Sequence, residues 1–322
     1  MNDEEGDYYK KVAREYKLPL SDWIRMKNSY TKKDDGNCEY VTFSDIKNTE
    51  AWEKIELLTD KASTTEMIKE RILVMTWDIE AITYRPGGGL PNARYHTTDF
   101  VIMICCTFHW KDEEKALLKV NICSCVIKDS DEWISIVTTD EKSLIKAFAI
   151  LMQKMKPDII IGFNDTYFDW PFVIGKAKNY GILKYLYNCM SSFKDMDSSE
   201  ETIYKKMIKR VGVKISAEDK VEGLQVSVPG ILCVDVHIEF KKIFPKDEAT
   251  RKSSLNHFLK MFGLQLKDDM DFKDMFKYYE KKDPEGMYLV AHYCIIDAWS
   301  CQRLFLKRNV INERKEMSSL AF

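Results

Sequence analysis

Asp78 and Glu80 share one face of the run RILVMTWDIEA, because side chains alternate along a strand, and they stand where the apolar stretch ends. Two carboxylates side by side repel each other, so one or both keep a proton unless a cation lies between them. Hard oxygen ligands of this kind suit Mg²⁺ or Mn²⁺. A third acid, Asp169 in GFNDTYFDWPFV, falls in a strand-to-helix turn, where open α/β sheets place their sites. Tyr293 and Asp297 in AHYCIIDAW are four residues apart, roughly 40° around a helix, and so share a face. Each of the three also has an ordinary reading: an acidic strand end facing solvent, an Asp capping a helix that begins near Trp170 and Pro171, and a plain helix pair.

The elements that must carry these residues follow from hydrophobic period and punctuation. RILVMTWDIEA and DFVIMICCTFHW read as strands joined by the Gly/Pro/Asn-rich YRPGGGLPNARYHTTD, and KALLKVNICSC reads as a third strand. DEKSLIKAFAILMQKMKPD has helical period and closes at Pro157, and the apolar run IIIGFN follows as a strand. The polar stretch 195–225 is expected to be an insertion or surface hairpin. PGILCVDVHIEF reads as a strand, RKSSLNHFLKMFG as a helix ending at Gly263, and DPEGMYLVAHYCIIDAWSCQRLFLKRNVI as a long helix started near Asp283–Pro284. Before residue 71 the pieces are short: DYYKKVAREY as a helix, CEYVTFS as a strand, TEAWEKIELL as a helix, with the polar run TKKDDGN between the first two. This order implies an α/β chain with a mixed sheet flanked by helices, preceded by a small partial N-terminal α+β segment. The expected division is residues 1–70, 71–310 and 311–322.

Composition narrows the class. A chain of 322 residues with 45% hydrophobic content can bury one good core and a second small one. A net charge of −2 gives no global basic signal, so nucleic-acid binding must come from a local groove. The nine cysteines form no CxxC pair, and the odd count in a chain of this length points to free thiols in a reducing, intracellular compartment. No apolar leader or membrane-length span is present. The Gly87–Gly89 run lacks a following Lys-Ser/Thr and precedes a strand, which excludes a P-loop and leaves a flexible hairpin loop. Asp235 is expected to make structural hydrogen bonds, and the basic pairs Lys205–Lys206, Lys241–Lys242 and Lys281–Lys282 are expected to be solvated faces.

Taken together, D-I-E, then N-x3-F-D, then Y-x3-D resemble the three exonuclease motifs of the four-acid nucleases. FDWPF (168–172), SSLNHFL (253–259), LKDDM (266–270) and YCIIDAWSCQRL (293–304) narrow the resemblance to family B DNA polymerases, especially those of large DNA viruses and eukaryotes. The resemblance runs over nearly the whole chain. It implies a ribonuclease-H-like fold and two-metal hydrolysis of 3′-terminal nucleotides of DNA, the proofreading activity, with Mg²⁺ or Mn²⁺. Asp78, Glu80 and Asp297 would hold the metal that activates water, and Asp78, with Asp169 acting through water, the second. Tyr293 would orient the attacking water, and Asn164 and Phe168 would lie near the terminal nucleotide. His292 has the spacing of the histidine-type branch, but five residues turn roughly 140° on a helix, which points it away from the metal face and favours Tyr293.

The partners implied are a single-stranded or frayed 3′ end and a polymerase region, in the same polypeptide or in a partner chain, at a nuclear or cytoplasmic replication site of the host if the source is viral. No palm motif of the family is found: no D-x2-S-L-Y-P, no K-x3-N-S-x-Y-G and no Y-G-D-T-D. The expectation is therefore a fragment or one half of a split polymerase, without polymerase activity of its own. The alternative is a non-catalytic DNA-binding or assembly module of such an enzyme.

Overall fold

The structure, a computed structural model, describes residues 71–215, 220–244, 254–267 and 270–320, with residues 15, 17, 24–26, 32–33, 39–40 and 55–57. The chain divides into two compact units, Met1–Arg71 with Asn309–Phe322, and Ile72–Arg308.

In the first unit, strand Ile24–Met26 pairs antiparallel with Ile55–Leu57, and Lys32–Lys33 pairs with Glu39–Tyr40. Residues 55–57 therefore correct the helix expected over TEAWEKIELL. Pairing with a distant segment overrides local helix propensity there. The helix expected over residues 7–16 lies outside the described residues except for Glu15, which is helical. A helix spans Val310–Leu320.

The second unit is built on strands β1 (Leu73–Thr83), β2 (Asp99–Trp110), β3 (Leu118–Cys123) and β4 (Ile134–Val137), helix α1 (Glu141–Met155) and strand β5 (Ile159–Gly162). Then come helices α2 (Asp169–Asn179), α3 (Leu183–Met190) and α4 (Glu200–Met207), the hairpin β6 (Ile208–Lys214) and β7 (Lys220–Val226), strand β8 (Leu232–Asp235), and helices α5 (Val236–Ile243), α6 (Leu255–Met261), α7 (Phe272–Lys281) and α8 (Pro284–Arg308). Six strands form one mixed sheet in the order β8-β5-β1-β2-β3-β4, with β5 parallel to both β1 and β8 and β2 antiparallel to both its neighbours.

Strand alternation sends Met75, Trp77 and Ile79 of β1 into a core shared with α1, α2 and α3, where Trp77 stacks on Phe148 at 5.5 Å. The opposite face, which carries Asp78 and Glu80, lies under α8, whose Val290, Ala291 and Cys294 are fully buried. Pro284 occupies the first helical position of α8, and the Asp283 carboxylate accepts from the Glu285 N–H at 3.1 Å, so the helix starts where its sequence signals it.

The strand expected over PGILCVDVHIEF stops halfway. Asp235 ends β8, and its carboxylate accepts from the N–H groups of His237 and Ile238, capping α5. The stretch 195–225 holds the hairpin β6–β7, preceded by α4.

Candidate active site

β1 brings Asp78 and Glu80 to the α8 side of the sheet, opposite Cys105 and Met103 of β2, and a register shift follows between Glu80 and Ala81. The irregularity lies just past the acids, and pairing resumes from Ala81 to Thr83. Glu80 is buried, and its Oε1 takes no hydrogen bond among the described residues. One carboxylate oxygen from each acid and Sγ of Cys294 lie within 4.8 Å of one another, a group that could hold a metal ion.

Asp169 is the first residue of α2 and does not cap it. Its Oδ1 instead accepts from the backbone N–H of Ile79 at 3.1 Å, which ties the helix start to β1 between the two acids. The preceding turn is held from both sides. Trp77 Nε1 donates to Asp165 Oδ2 at 3.1 Å, while the Asp235 carboxylate accepts from the N–H groups of Asn164 and Thr166 and from the Thr166 hydroxyl. Asn164 sits at φ +64°, in the left-handed region, which its short polar side chain tolerates.

Tyr293 and Asp297 project from successive turns of α8. Lys267 Nζ meets both, donating to the Tyr293 hydroxyl at 2.9 Å and pairing with Asp297 Oδ2. Lys267 stands on irregular chain after α6, clamped by the Asn256 side chain, which accepts from its N–H at 3.0 Å and donates to its carbonyl at 3.2 Å.

Burial and the Asp297 charge push the Asp78 carboxyl up to about 8. Burial, then Asp78 and Asp297, hold Glu80 well above the carboxylate range, and burial with Asp78 does the same to Asp169. Burial and Asp297 also raise the Tyr293 phenol, which is neutral at physiological pH. Burial opposes the charge on Lys267, yet the neighbouring Asp297 and Tyr293 outweigh it and keep the ammonium protonated. The acids thus crowd into one volume whose negative charge a single lysine does not offset.

Beside them lies a cleft of about 320 Å³, walled by Asp78, Asp297 and Lys267 and by Phe163, Asn164 and His237. Phe168 is not part of this wall; its ring packs edge-on against Phe172 at 5.1 Å. His292 is exposed, 6.2 Å from the Trp133 ring. The glycines 87–89 all have positive φ, in the connection between β1 and β2. Of the basic pairs, Lys206 is matched by Asp195 and Lys242 by Glu239. Sequence reasoning gave no role to Lys267, Phe163 or His237. The only signal was the position of Lys267 in LKDDM, since a lysine on irregular chain has no period to reveal its direction.

The family model for the exonuclease domain of DNA polymerase family B matches residues 5–251, a span that holds Asp78, Glu80 and Asp169 and stops short of Tyr293 and Asp297. A protein named DNA polymerase beta of African swine fever virus is 38% identical over 318 residues, 98% of this chain and 24% of that protein. The DNA polymerase delta catalytic subunit of Plasmodium falciparum is 26% identical over 94% of this chain and 26% of its own length. The DNA polymerase catalytic subunit of Elephantid herpesvirus 1 is 22% identical over 88% of this chain and 24% of its own length. The chain spans about a quarter of the length of these curated relatives. It belongs to the exonuclease-domain family of the family B DNA polymerases.

Proposed function

We propose that the chain is a metal-dependent 3′→5′ exonuclease that removes terminal nucleotides from single-stranded or frayed DNA, with residues 71–310 as its exonuclease domain. The observation that carries this reading is the grouping of Asp78, Glu80, Asp169, Tyr293 and Asp297, which come from two helices and one strand and act on one another's charge, at a cleft that Asp78 and Asp297 line.

The residues fit a pair of divalent cations. A buried carboxylate oxygen without a hydrogen bond among the described residues, on Glu80, and acids whose burial and mutual repulsion push their pKa values up are what cation ligands look like before charge is supplied. Asp78, Glu80 and Asp297 would hold one cation, and Asp78 with Asp169 the other, in Mg²⁺ or Mn²⁺ form. When bound, such cations polarise water and stabilise charge on the attacking and leaving oxygens of an in-line displacement.

The protein's own groups supply position. Lys267 donates to the Tyr293 oxygen, so the phenol O–H is left to hydrogen-bond the attacking water and hold it in line. In the reaction the water oxygen bonds to phosphorus as the bond to the bridging 3′ oxygen breaks. The water's proton balances the charge on the 3′ oxygen that leaves with the shortened strand. Asn164 and the Phe163 ring face the terminal nucleotide from the opposite wall, an aromatic surface that tolerates any base.

The relatives are named as polymerases, which supports a partnership with a polymerase region, in the same polypeptide or in a partner chain, at an intracellular replication site. Among the described residues no helix is long and apolar enough to cross a membrane. The test is a parallel digestion of 5′-labelled and 3′-labelled single strands with Mg²⁺. The 3′ label should appear at once as a mononucleotide while the 5′ label forms a descending ladder. An intact 3′ label, with the strand bound, contradicts the reading.

A further inference from the structure

Asp165 is buried in the turn between β5 and α2, four residues before Asp169. Its side chain lies against the end of β5, so close to Gly162 that a Cβ there would meet the Asp165 Cβ and Oδ2 at 2.5 Å. From that place Oδ2 accepts from the Trp77 indole N–H at 3.1 Å, and the Asp165 carbonyl accepts from the N–H of Trp170, the second residue of α2, at 2.9 Å. The two indole rings lie 4.3 Å apart. One residue thus joins β1 to the start of α2. Burial, then the Asp235 charge, hold its carboxyl well above the carboxylate range, so the tie is the hydrogen bond of a neutral acid rather than an ion pair.

Where these bonds land on β1 decides what they do. The segment from Asp165 to Asp169 is fastened to β1 at two core-side residues, Trp77 through Asp165 and Ile79 through Asp169, and Asp78 stands between them on the opposite face. The Asp235 bonds to Asn164 and Thr166 fasten the turn to the end of β8 instead. The Ile79 bond occupies an oxygen of the Asp169 carboxylate, whereas the Trp77 bond uses no metal-binding group and can persist when Asp169 turns to a cation. We propose that Asp165 is a positioning residue that sets the affinity for the cation shared by Asp78 and Asp169, by holding the start of α2 against β1. The inference rests on the two-cation site of the exonuclease reading. Asp165 acts through the turn and touches neither cation nor DNA.

The test is metal binding. Mn²⁺ uptake by the full chain, holding a single strand whose last linkage is a phosphorothioate, is followed by the electron paramagnetic resonance signal of the free ion. The wild type should take up two ions. Asp165→Leu, close in size, leaves the Trp77 N–H without its acceptor. It should bind one ion as the wild type does and the other about tenfold more weakly, the low end of what is lost when a ligand's support is removed. Asp165→Asn, whose amide oxygen accepts the same bond without charge, should bind both ions as the wild type does. Trp77→Phe removes the bond from the other side and should match Asp165→Leu, and it serves also if the leucine variant does not fold. Uptake of a single ion by the wild type, wild-type affinity for both ions in Asp165→Leu or Trp77→Phe, or an asparagine variant as weak as the leucine one overturns the proposal. A merely structural Asp165 would lower the melting temperature and leave Mn²⁺ affinity unchanged. Nucleotide release from an unmodified strand is scored separately: two-ion uptake that depends on Asp165, without release, would remove the exonuclease reading and leave the assignment of Asp165 standing.

Discussion

Lys267 Nζ lies 2.9 Å from the hydroxyl of Tyr293 and 4.5 Å from the centre of its ring, and the same ammonium pairs with Asp297 one helical turn away. One cation therefore fixes the phenol and partly neutralises the acid beside it. Replacing Lys267 with Met should lower the turnover number about tenfold or more, since a preorganised charge at the reacting centre is lost. Affinity for single-stranded DNA should change by less, and parallel kinetic and binding titrations separate the two. Equal losses in both would make Lys267 a binding residue only.

Tyr293 and His292 adjoin in sequence and differ in surroundings: Tyr293 contacts Lys267, and His292 is exposed near Trp133. Tyr293→Phe should slow hydrolysis about 100-fold, in the range lost with a positioned proton-transfer group. His292→Ala should leave the rate within about twofold. Slower hydrolysis in the histidine variant alone would reverse the assignment.

The arrangement of α8 over Asp78 and Glu80 was largely legible in the sequence, because period two on a strand and spacing four on a helix each name a face. The strand RILVMTWDIEA, the helix from Pro284 and the start of α1 at its Asp140 cap follow from local signals. What was hidden depends on partners far along the chain. The sequence assigns Asp235 structural hydrogen bonds, which it makes, but does not name the partners: its carboxylate serves two backbones at once, its own helix and the Asn164–Thr166 turn about seventy residues earlier. Ile55–Leu57 lies in a stretch whose sequence has helical period, and its pairing with Ile24–Met26 decides otherwise. Phe163 rather than Phe168 lines the cleft because the chain turns sharply at Asn164, which no hydrophobic period announces.

Asn256 holds Lys267 by two backbone hydrogen bonds. Asn256→Ala should lower stability by about 1–3 kcal/mol, a melting shift of several degrees. It should also reduce turnover through loosened placement of Lys267. Added cation should not restore the rate fully, which kinetics at saturating Mg²⁺ would measure.

Without divalent cations the Asp78 carboxyl keeps its proton up to about 8, whereas its reference value is 3.8. Between those values the folded chain holds more protons than the unfolded one, so stability falls as pH rises through this window. In EDTA, the melting temperature should drop more between about pH 6 and pH 8 for the wild type than for Asp78→Asn, by roughly 2 °C or more. Mg²⁺ should recover the loss in the wild type and not in the variant. Identical pH profiles for the two proteins would show that Asp78 ionises normally.

The central claim is that the acids under α8 perform hydrolysis from the 3′ end, and the rate of mononucleotide release from a single-stranded oligonucleotide tests it most directly. With Mg²⁺, the wild type should release nucleotides one at a time from the 3′ end, and Asp78→Ala combined with Glu80→Ala should lower that rate by about 10³-fold or more while the chain still binds DNA. A double variant as fast as the wild type, or a wild type that releases nothing, would contradict it.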